Sequence, residues 1–343
     1  MVKKILITGG TGYIGSHTAV ELILQGFEVF IVDNLSNSSV SVLDGIEKIT
    51  GVKPHFVKLD LTDEKETDKY FKAHPDLDSV IHFAAFKAVG ESVLEPLKYY
   101  KNNLESLTNL LKSMIDVDIP FLVFSSSCTV YGQPDILPVK EDAPIQNATS
   151  PYGNTKQIAE EIIHDTINSI SNLNAISLRY FNPIGAHSSA HIGELPIGIP
   201  NNLIPFITQT AAGIREQLKV FGNDYNTPDG TCIRDYINVV DLAKAHVTAV
   251  QRLINKKTET PFEVFNLGTG KGLTVLDVIA AFEKTTGKKL NYTITGRREG
   301  DIEKVWADAS KANKILGWKA EKNIEETVLS AWNWEKKYRG IKE

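Results

Sequence analysis

Ile5-Leu6-Ile7-Thr8-Gly9-Gly10-Thr11-Gly12-Tyr13-Ile14-Gly15 decides how this chain folds. A short apolar run breaks on a turn in which Gly9, Gly12 and Gly15 recur at every third position. Ala19, Leu22 and Ile23 then follow with helical spacing. The pattern is strand, tight turn, helix. The start of such a helix offers unpaired N–H groups and a positive dipole end, so a pyrophosphate fits there, and the glycines let the backbone approach it. The next apolar run, Val29–Val32, ends at Asp33, where a carboxylate can grip a ribose 2′-hydroxyl. Asn34 follows, and no Arg or Lys stands close enough in sequence to suit a 2′-phosphate, so the expected dinucleotide is NAD rather than NADP. Asp60-Leu61 closes a third apolar run and is placed to reach the adenine.

Outward from this turn the first half alternates short β-rich runs with helical stretches. The runs are 4–7, 29–32, 55–57, 80–83, 121–124 and 175–178, and the helices fall near 13–26, 64–73, 92–115 and 152–170. Strands alternating with helices give a parallel sheet covered on both faces, here a doubly wound Rossmann-type α/β fold. From about residue 183 the texture changes. A long stretch to 202 is rich in Pro, Gly, His and Asn, and loops of that length are usually functional. Beyond it, isolated strands (218–221, 264–267, 290–293) and helices near 203–213, 241–254, 274–286 and 323–338 predict a second, smaller, mixed α/β region. We place the boundary near 182: residues 1–182 bind the dinucleotide and 183–343 the substrate, and a later strand could return to the first sheet. Gly268-Thr269-Gly270-Lys271-Gly272 also links a strand to a helix, but its glycine spacing is wrong for a dinucleotide. Thr274 and Asp277 there read as a capping box.

Composition narrows the function classes. The chain has 343 residues and a formal charge of −5, from 37 basic and 42 acidic side chains. No basic excess exists to neutralise a nucleic acid. Two cysteines, Cys128 and Cys232, imply no disulfide framework. The N-terminal apolar run is too short for a secretory signal, and no run is long enough to span a membrane, so the expected setting is the cytoplasm. His187 and His191 have helical metal-ligand spacing, but Pro183, Gly185 and Gly193 around them indicate a loop, and no metal site is expected.

Tyr152-Gly-Asn-Thr-Lys156 sets a phenol and an ammonium one helical turn apart. Tyr338 and Lys342 match the same spacing at the C-terminus. Tyr152 differs in opening a helix after Ser150-Pro151, 25 residues beyond Ser127 at the end of a strand. Strand C-termini in such sheets face the ligand crevice. A phenol titrates near 10. A cation ~5 Å away at an effective dielectric of ~20 offers ~3 kcal/mol, roughly two pKa units. Lys156 is therefore expected to bring Tyr152 down to a usable base for a sugar hydroxyl, with the nicotinium charge adding to the effect and the Ser127 hydroxyl bonding the same oxygen.

The strings Thr8–His17, Val80–Ser92, Ser125–Gly132 and Ser150–Lys156 resemble the extended short-chain dehydrogenase/reductases. Further strings at Arg179–Ala186, Gly198–Asn202, Phe221–Tyr225, Thr231–Tyr236, Arg297–Asp301 and Trp306–Ser310 narrow the resemblance to members that epimerise UDP-hexoses at C4 through a 4-keto sugar and retained NAD. The resemblance implies further cofactor contacts at Asn37 and Ser38, then Phe83, Ala84, Ala85 and Lys87, then Asn102, Tyr180 and Phe181. It implies that Asn182, Asn202, Leu203, Phe221, Arg234, Val275, Arg298 and Asp301 hold the UDP moiety, with Lys87, Ser127 and Tyr152 at the sugar. Guanidinium forks suit a diphosphate. It also implies that Val305 flanks the C2 substituent of the hexose, where its small size admits an N-acetyl group. A 4,6-dehydratase of this scaffold carries an Asp-Glu pair where this chain has Cys128-Thr129, and a decarboxylase would need a pocket for a C6 carboxylate. Apolar positions such as Ile158, Ile162, Ile163 and Ile167 exceed what one sheet face covers, and members of this family pair such helices into a homodimer.

Overall fold

The structure, a computed structural model, describes residues 2–298 and 301–342. The first part runs β1 (Lys4–Thr8), α1 (Tyr13–Leu24), β2 (Glu28–Asp33), α2 (Val42–Thr50), β3 (His55–Lys58), α3 (Glu64–Ala73), β4 (Ser79–His82), α4 (Val89–Leu94), α5 (Pro96–Asp116), β5 (Phe121–Ser125), α6 (Pro151–Ser169) and β6 (Asn174–Tyr180). It continues with β7 (Asn182–Ile184), α7 (Leu203–Ala211), β8 (Leu218–Phe221), β9 (Ile233–Arg234), β10 (Tyr236–Asn238), α8 (Val239–Ile254), β11 (Phe262–Leu267), β12 (Leu273–Thr274), α9 (Val275–Thr286), β13 (Tyr292–Thr295), β14 (Lys304–Val305) and α10 (Ile324–Arg339).

Seven parallel strands form the central sheet in the order β11-β6-β5-β4-β1-β2-β3. The chain starts in the middle, winds outward over β2 and β3, then returns across β1 to β4. The crossover reverses there, which opens a crevice outside the carboxyl ends of β1 and β4. Both faces of the sheet are covered, so its strands are continuously apolar: Ile5, Leu6 and Ile7 are all buried. Leu22 of α1 and Leu242, Val250 and Leu253 of α8 pack on one face. Phe71 of α3, Leu107 and Leu110 of α5, and Ile163 and Ile167 of α6 pack on the other.

Two segments beyond residue 182 join this body. Strand β11 pairs with β6 from Phe262↔Ala175 to Leu267↔Tyr180, and α8 packs against α1. The remaining later segments build a second core around Ile207, Val220, Phe282, Val328 and Trp332. A small third cluster at the junction holds Val130, Tyr131, Val139, Phe181, Val305 and Ala307.

The differences from the sequence reading are local. Helix α2 escaped it, since only Leu43 and Ile46 of its nine residues are buried apolar side chains. The stretch 92–115 is two helices: the residue before Pro96 leaves helical geometry, and α5 restarts with the proline in its first turn. The strand expected over 290–293 lies at Tyr292–Thr295, paired with β8. The Thr274–Asp277 capping box forms as expected.

Candidate active site

The turn after β1 enters α1 through Gly12, and no side chain caps that helix end. Its first N–H groups therefore stand free for an anion. Gly9 has φ +67°, and a Cβ on it would fall 2.8 Å from the backbone nitrogen of Ala84. No larger residue lets β1 and β4 close to this distance at the crevice floor. Tyr13 leans away and donates to the Gly185 carbonyl at 2.6 Å. Asp33 is buried at the end of β2 and accepts from Thr11 N–H (3.2 Å), Leu35 N–H (2.8 Å) and the Ser38 hydroxyl (3.1 Å). Ser38 also bonds Thr11 at 2.7 Å, so the rim beyond β2 is tied to the glycine turn. Asn34 donates to Asp60 at 3.1 Å. Burial pushes the Asp60 carboxyl up, but hydrogen bonds from Thr62 and Asn34 outweigh it and leave it below its ordinary value. Leu61 is buried beneath, and Asn37 is exposed on the rim. An uncapped helix start beside a carboxylate one strand away is what a dinucleotide needs, and these residues fit it.

Ser127, Tyr152 and Lys156 meet at the carboxyl end of β5. Ser127 follows the strand and accepts the Thr129 N–H at 3.2 Å, which turns the chain back on itself. Ser150 accepts the Gly153 N–H at 3.1 Å and Pro151 opens the first turn, so α6 begins one residue before Tyr152. Lys156 donates to the Ser125 carbonyl at 2.7 Å and sits 6.0 Å from the centre of the Tyr152 ring. Tyr180 shares a 2.7 Å hydrogen bond with the Ser125 hydroxyl. All three catalytic candidates are buried.

The electrostatics correct the sequence reading. Burial pushes the Tyr152 phenol well above its usual value, Tyr180 adds to this, and a hydrogen bond with Ser127 opposes it. Lys156 is itself pushed down to about 8 by burial, against the pull of Glu160. Desolvation outweighs the Ser127 hydrogen bond because the phenol is buried at the carboxyl end of an interior strand. His82 lies behind, bonded to Thr8 at 2.8 Å and held neutral at about 3 by burial and by Lys156. Burial pushes the Cys128 thiol up to about 12, so it is no nucleophile.

Two polar networks behind the site were not read from sequence. Glu160, one turn beyond Lys156, accepts from Ser126 (2.6 Å), Ser177 (2.7 Å) and Arg179 (2.6 Å). It ties the residue next to Ser127 to the helix that carries Tyr152. Asn103 bridges Phe86 and Thr155 and accepts from Asn102 at 3.0 Å. The i,i+4 spacing of Lys156 and Glu160 was the available signal.

The substrate-side candidates gather at the opposite wall. Strands β12, β9 and β14 form a small sheet in which Arg234 pairs with Leu273 and with Val305. Val275 follows β12 and donates its N–H to Thr231. Arg234 reaches Asp301 at 3.8 Å. Burial raises the Asp301 carboxyl, with Arg234 and Arg298 pulling it back. Arg298 lies over Gly90 of α4; Glu299 and Gly300 of the same string lie outside the described residues. Phe221 is 38% exposed at the end of β8. Asn182 is half-buried on β7, its N–H bonded to the Asp235 carbonyl. Asn202 is exposed just before Leu203 opens α7. Phe83, Ala84 and Ala85 line the crevice past β4, where Lys87 is half-exposed. The Phe181 side chain instead packs in the junction cluster, as does Val305, which is 3% exposed.

The second glycine loop has a purpose of its own. Asp235 is fully buried and accepts from Thr269 N–H (2.8 Å), Thr269 hydroxyl (2.6 Å), Gly270 N–H (3.1 Å) and Ala307 N–H (3.2 Å). The loop cradles an internal carboxylate. Among the described residues no group of three or more His, Cys, Asp and Glu is placed to hold a metal. His191 faces the Lys337 ammonium at 3.1 Å.

A family profile described as GDP-mannose 4,6 dehydratase matches residues 6–330. Relatives named UDP-glucose 4-epimerase match nearly the whole chain. The one from Drosophila melanogaster is 50% identical over 96% of each chain, and the one from Bacillus subtilis (strain 168) is likewise 50% identical over 96% of each. The crystal structure of UDP-glucose 4-epimerase from Bifidobacterium longum, in complex with NAD+ and UDP, superposes with a TM-score of 0.94 at 46% identity, covering 98% of this chain and 99% of that one. Identity of this degree over nearly the full length, on the same fold and with the same site strings, places the chain in the UDP-glucose 4-epimerase family of the extended short-chain dehydrogenase/reductases.

Proposed function

We propose that this protein interconverts UDP-glucose and UDP-galactose by epimerisation at C4, with NAD retained in the crevice between β1 and β4, as a step of galactose metabolism. The observation that carries the reading is the meeting of Ser127, Tyr152 and Lys156 at one strand end beside the uncapped start of α1. The glycine turn and Asp33 would hold NAD, which would supply a hydride acceptor and donor at C4. Tyr152 takes the O4 proton and returns it to O4 once the 4-keto sugar has turned over and presents the opposite face of C4 for reduction. Ser127 holds the same oxygen. Lys156, fixed by the Ser125 carbonyl, keeps a cation near the phenol. Burial, with Tyr180, raises Tyr152, and a positive nicotinamide held in the crevice would favour the ionised phenol. Arg234 and Arg298 grip the diphosphate, while Phe221, Asn182, Asn202 and Leu203 receive the uridine.

In this reading residues 1–182, with α8 and β11 returned to them, hold the cofactor, and most of 183–343 holds the UDP-sugar. The small Val305 admits an N-acetyl group, so UDP-N-acetylglucosamine and UDP-N-acetylgalactosamine are substrates as well. Two copies pair through α5 and α6, where Leu111, Ile115 and Ile162 line a surface groove. The enzyme works in the cytoplasm; among the described residues no helix is long and apolar enough to cross a membrane. A dehydratase reading is not favoured, since Cys128-Thr129 supplies no acid to expel a 6-hydroxyl. Incubation with UDP-galactose and no added cofactor, read by NMR, tests the proposal. Formation of UDP-glucose supports it, and an unchanged spectrum refutes it for protein that carries NAD.

A further inference from the structure

The loop from 187 to 202 straps the two halves together. The Gly185 carbonyl just before it takes the Tyr13 hydroxyl at 2.6 Å, and Lys337 of α10 donates to Ser189 O at 2.9 Å. A Cβ on Gly45 of α2 would fall 2.6 Å from His191 O. Glu194 lies at the centre, its side chain only 12% exposed. Its backbone carbonyl accepts from the Trp334 indole at 3.1 Å. One carboxylate oxygen, Oε1, receives the Asn202 amide at 2.5 Å and faces Lys87 at 3.8 Å. Lys87 comes from the proposed cofactor half, and Asn202 is the exposed residue just before α7, whose side chain leaves that helix start uncapped.

We propose that Glu194 is a positioning residue for the nucleotide: facing Lys87 of the cofactor half, it fixes the orientation of the Asn202 amide that meets the UDP moiety. This rests on the epimerase reading of Asn202. An ionised carboxylate only accepts hydrogen bonds. Burial raises the Glu194 carboxyl while Lys87 and Asn202 favour its charged form, in which Oε1 binds the Asn202 NH2 and disfavours the flipped amide, leaving the Asn202 carbonyl oxygen for the ligand. Without it an exposed asparagine samples both flips and several rotamers, and that freedom is lost again on binding.

UDP titrated calorimetrically into the holoenzyme tests this. Glu194→Leu, which keeps the volume of the buried seat, and Glu194→Ala weaken UDP about ten-fold. Glu194→Gln, whose carbonyl oxygen the donor-only Lys87 ammonium keeps at the Oε1 position, stays within about three-fold of wild type. Asn202→Ala weakens UDP to a similar degree, and Glu194→Leu adds less than about two-fold in the Asn202→Ala background, because residues acting as one unit do not add. A loop that had merely loosened would cost the double variant as much again. Full additivity, a Gln variant as weak as Leu, or a Leu variant equal to wild type each overturns the proposal. Wild-type holoenzyme that fails to bind UDP brings down the functional reading itself, so the two failures are distinguishable.

Discussion

At the residue scale the site turns on where three side chains sit in low dielectric. Tyr152→Phe removes the proposed proton acceptor and leaves the glycine turn untouched. It abolishes most turnover while bound NAD, released by heat and quantified, stays at the wild-type level. Ser127→Ala costs roughly 10²-fold. Near-normal rates in both variants would rule out the proton path. Lys156 gives a pH signature. Its folded value of about 8 lies below the ordinary 10.5, so the charged form is penalised in the fold. That penalty stands in full below about pH 8. Between about 8 and 10.5 the unfolded chain still binds the proton while the folded one does not, so stability conferred by this group rises with pH through that window. Relative to wild type, Lys156→Met therefore gains up to roughly 3 kcal/mol at pH 7, and the gain shrinks toward pH 10.5. The variant also strands the Ser125 carbonyl, a loss independent of pH. Urea denaturation at pH 7 and pH 10 reads the gap, and one that does not change with pH contradicts the shift. Val305→Tyr addresses sugar size. The added ring must leave a closed cluster and protrude toward the hexose, so kcat/KM falls for the N-acetylated pair and holds within about three-fold for the other. A wild type with no N-acetyl turnover ends that idea.

At the element scale, short strands and loops carry the wall proposed for the substrate. Strands β9, β12 and β14 are two residues each, too short to persist without packing. Asp235 holds them, because its carboxylate pins both the 268–272 loop and Ala307 beside Val305. A Cβ on Gly268 would lie 2.4 Å from an Asp235 oxygen and 2.7 Å from the Ala307 Cβ. Gly268→Ala is thus expected to destabilise by about 1–3 kcal/mol and to weaken UDP binding through the neighbouring Arg234. Chemical denaturation with calorimetry checks it; wild-type behaviour in both would mean the loop does not depend on that carboxylate.

At the scale of the whole molecule, α5 and α6 present a groove that the single chain leaves partly open. Ile115 is half-buried there and belongs to none of the internal core clusters. If the groove is the dimer face, Ile115→Arg shifts the protein from dimer to monomer in light scattering while its fold, read by circular dichroism, stays intact. An unchanged mass would place the contact elsewhere, and a wild-type monomer would remove it.

The sequence by itself determined the sheet and its crevice. Local apolar runs, the glycine turn and Asp33 act within some thirty residues, and a buried parallel strand must be apolar along its whole length. Tyr152, Lys156 and Ser127 were legible for the same reason: helix spacing and a strand end are local facts. Tertiary structure alone decided the rest. Partners far apart in the chain leave no periodicity, so Glu160 with Arg179, Asn103 with Phe86, and Asp235 with the second glycine loop appear only once packed. The same holds for β11 joining β6, a pairing across more than eighty residues. Desolvation is also a property of the folded surroundings. A Tyr-Lys spacing names the pair, but only the depth of its burial decided that Tyr152 moves up and Lys156 moves down.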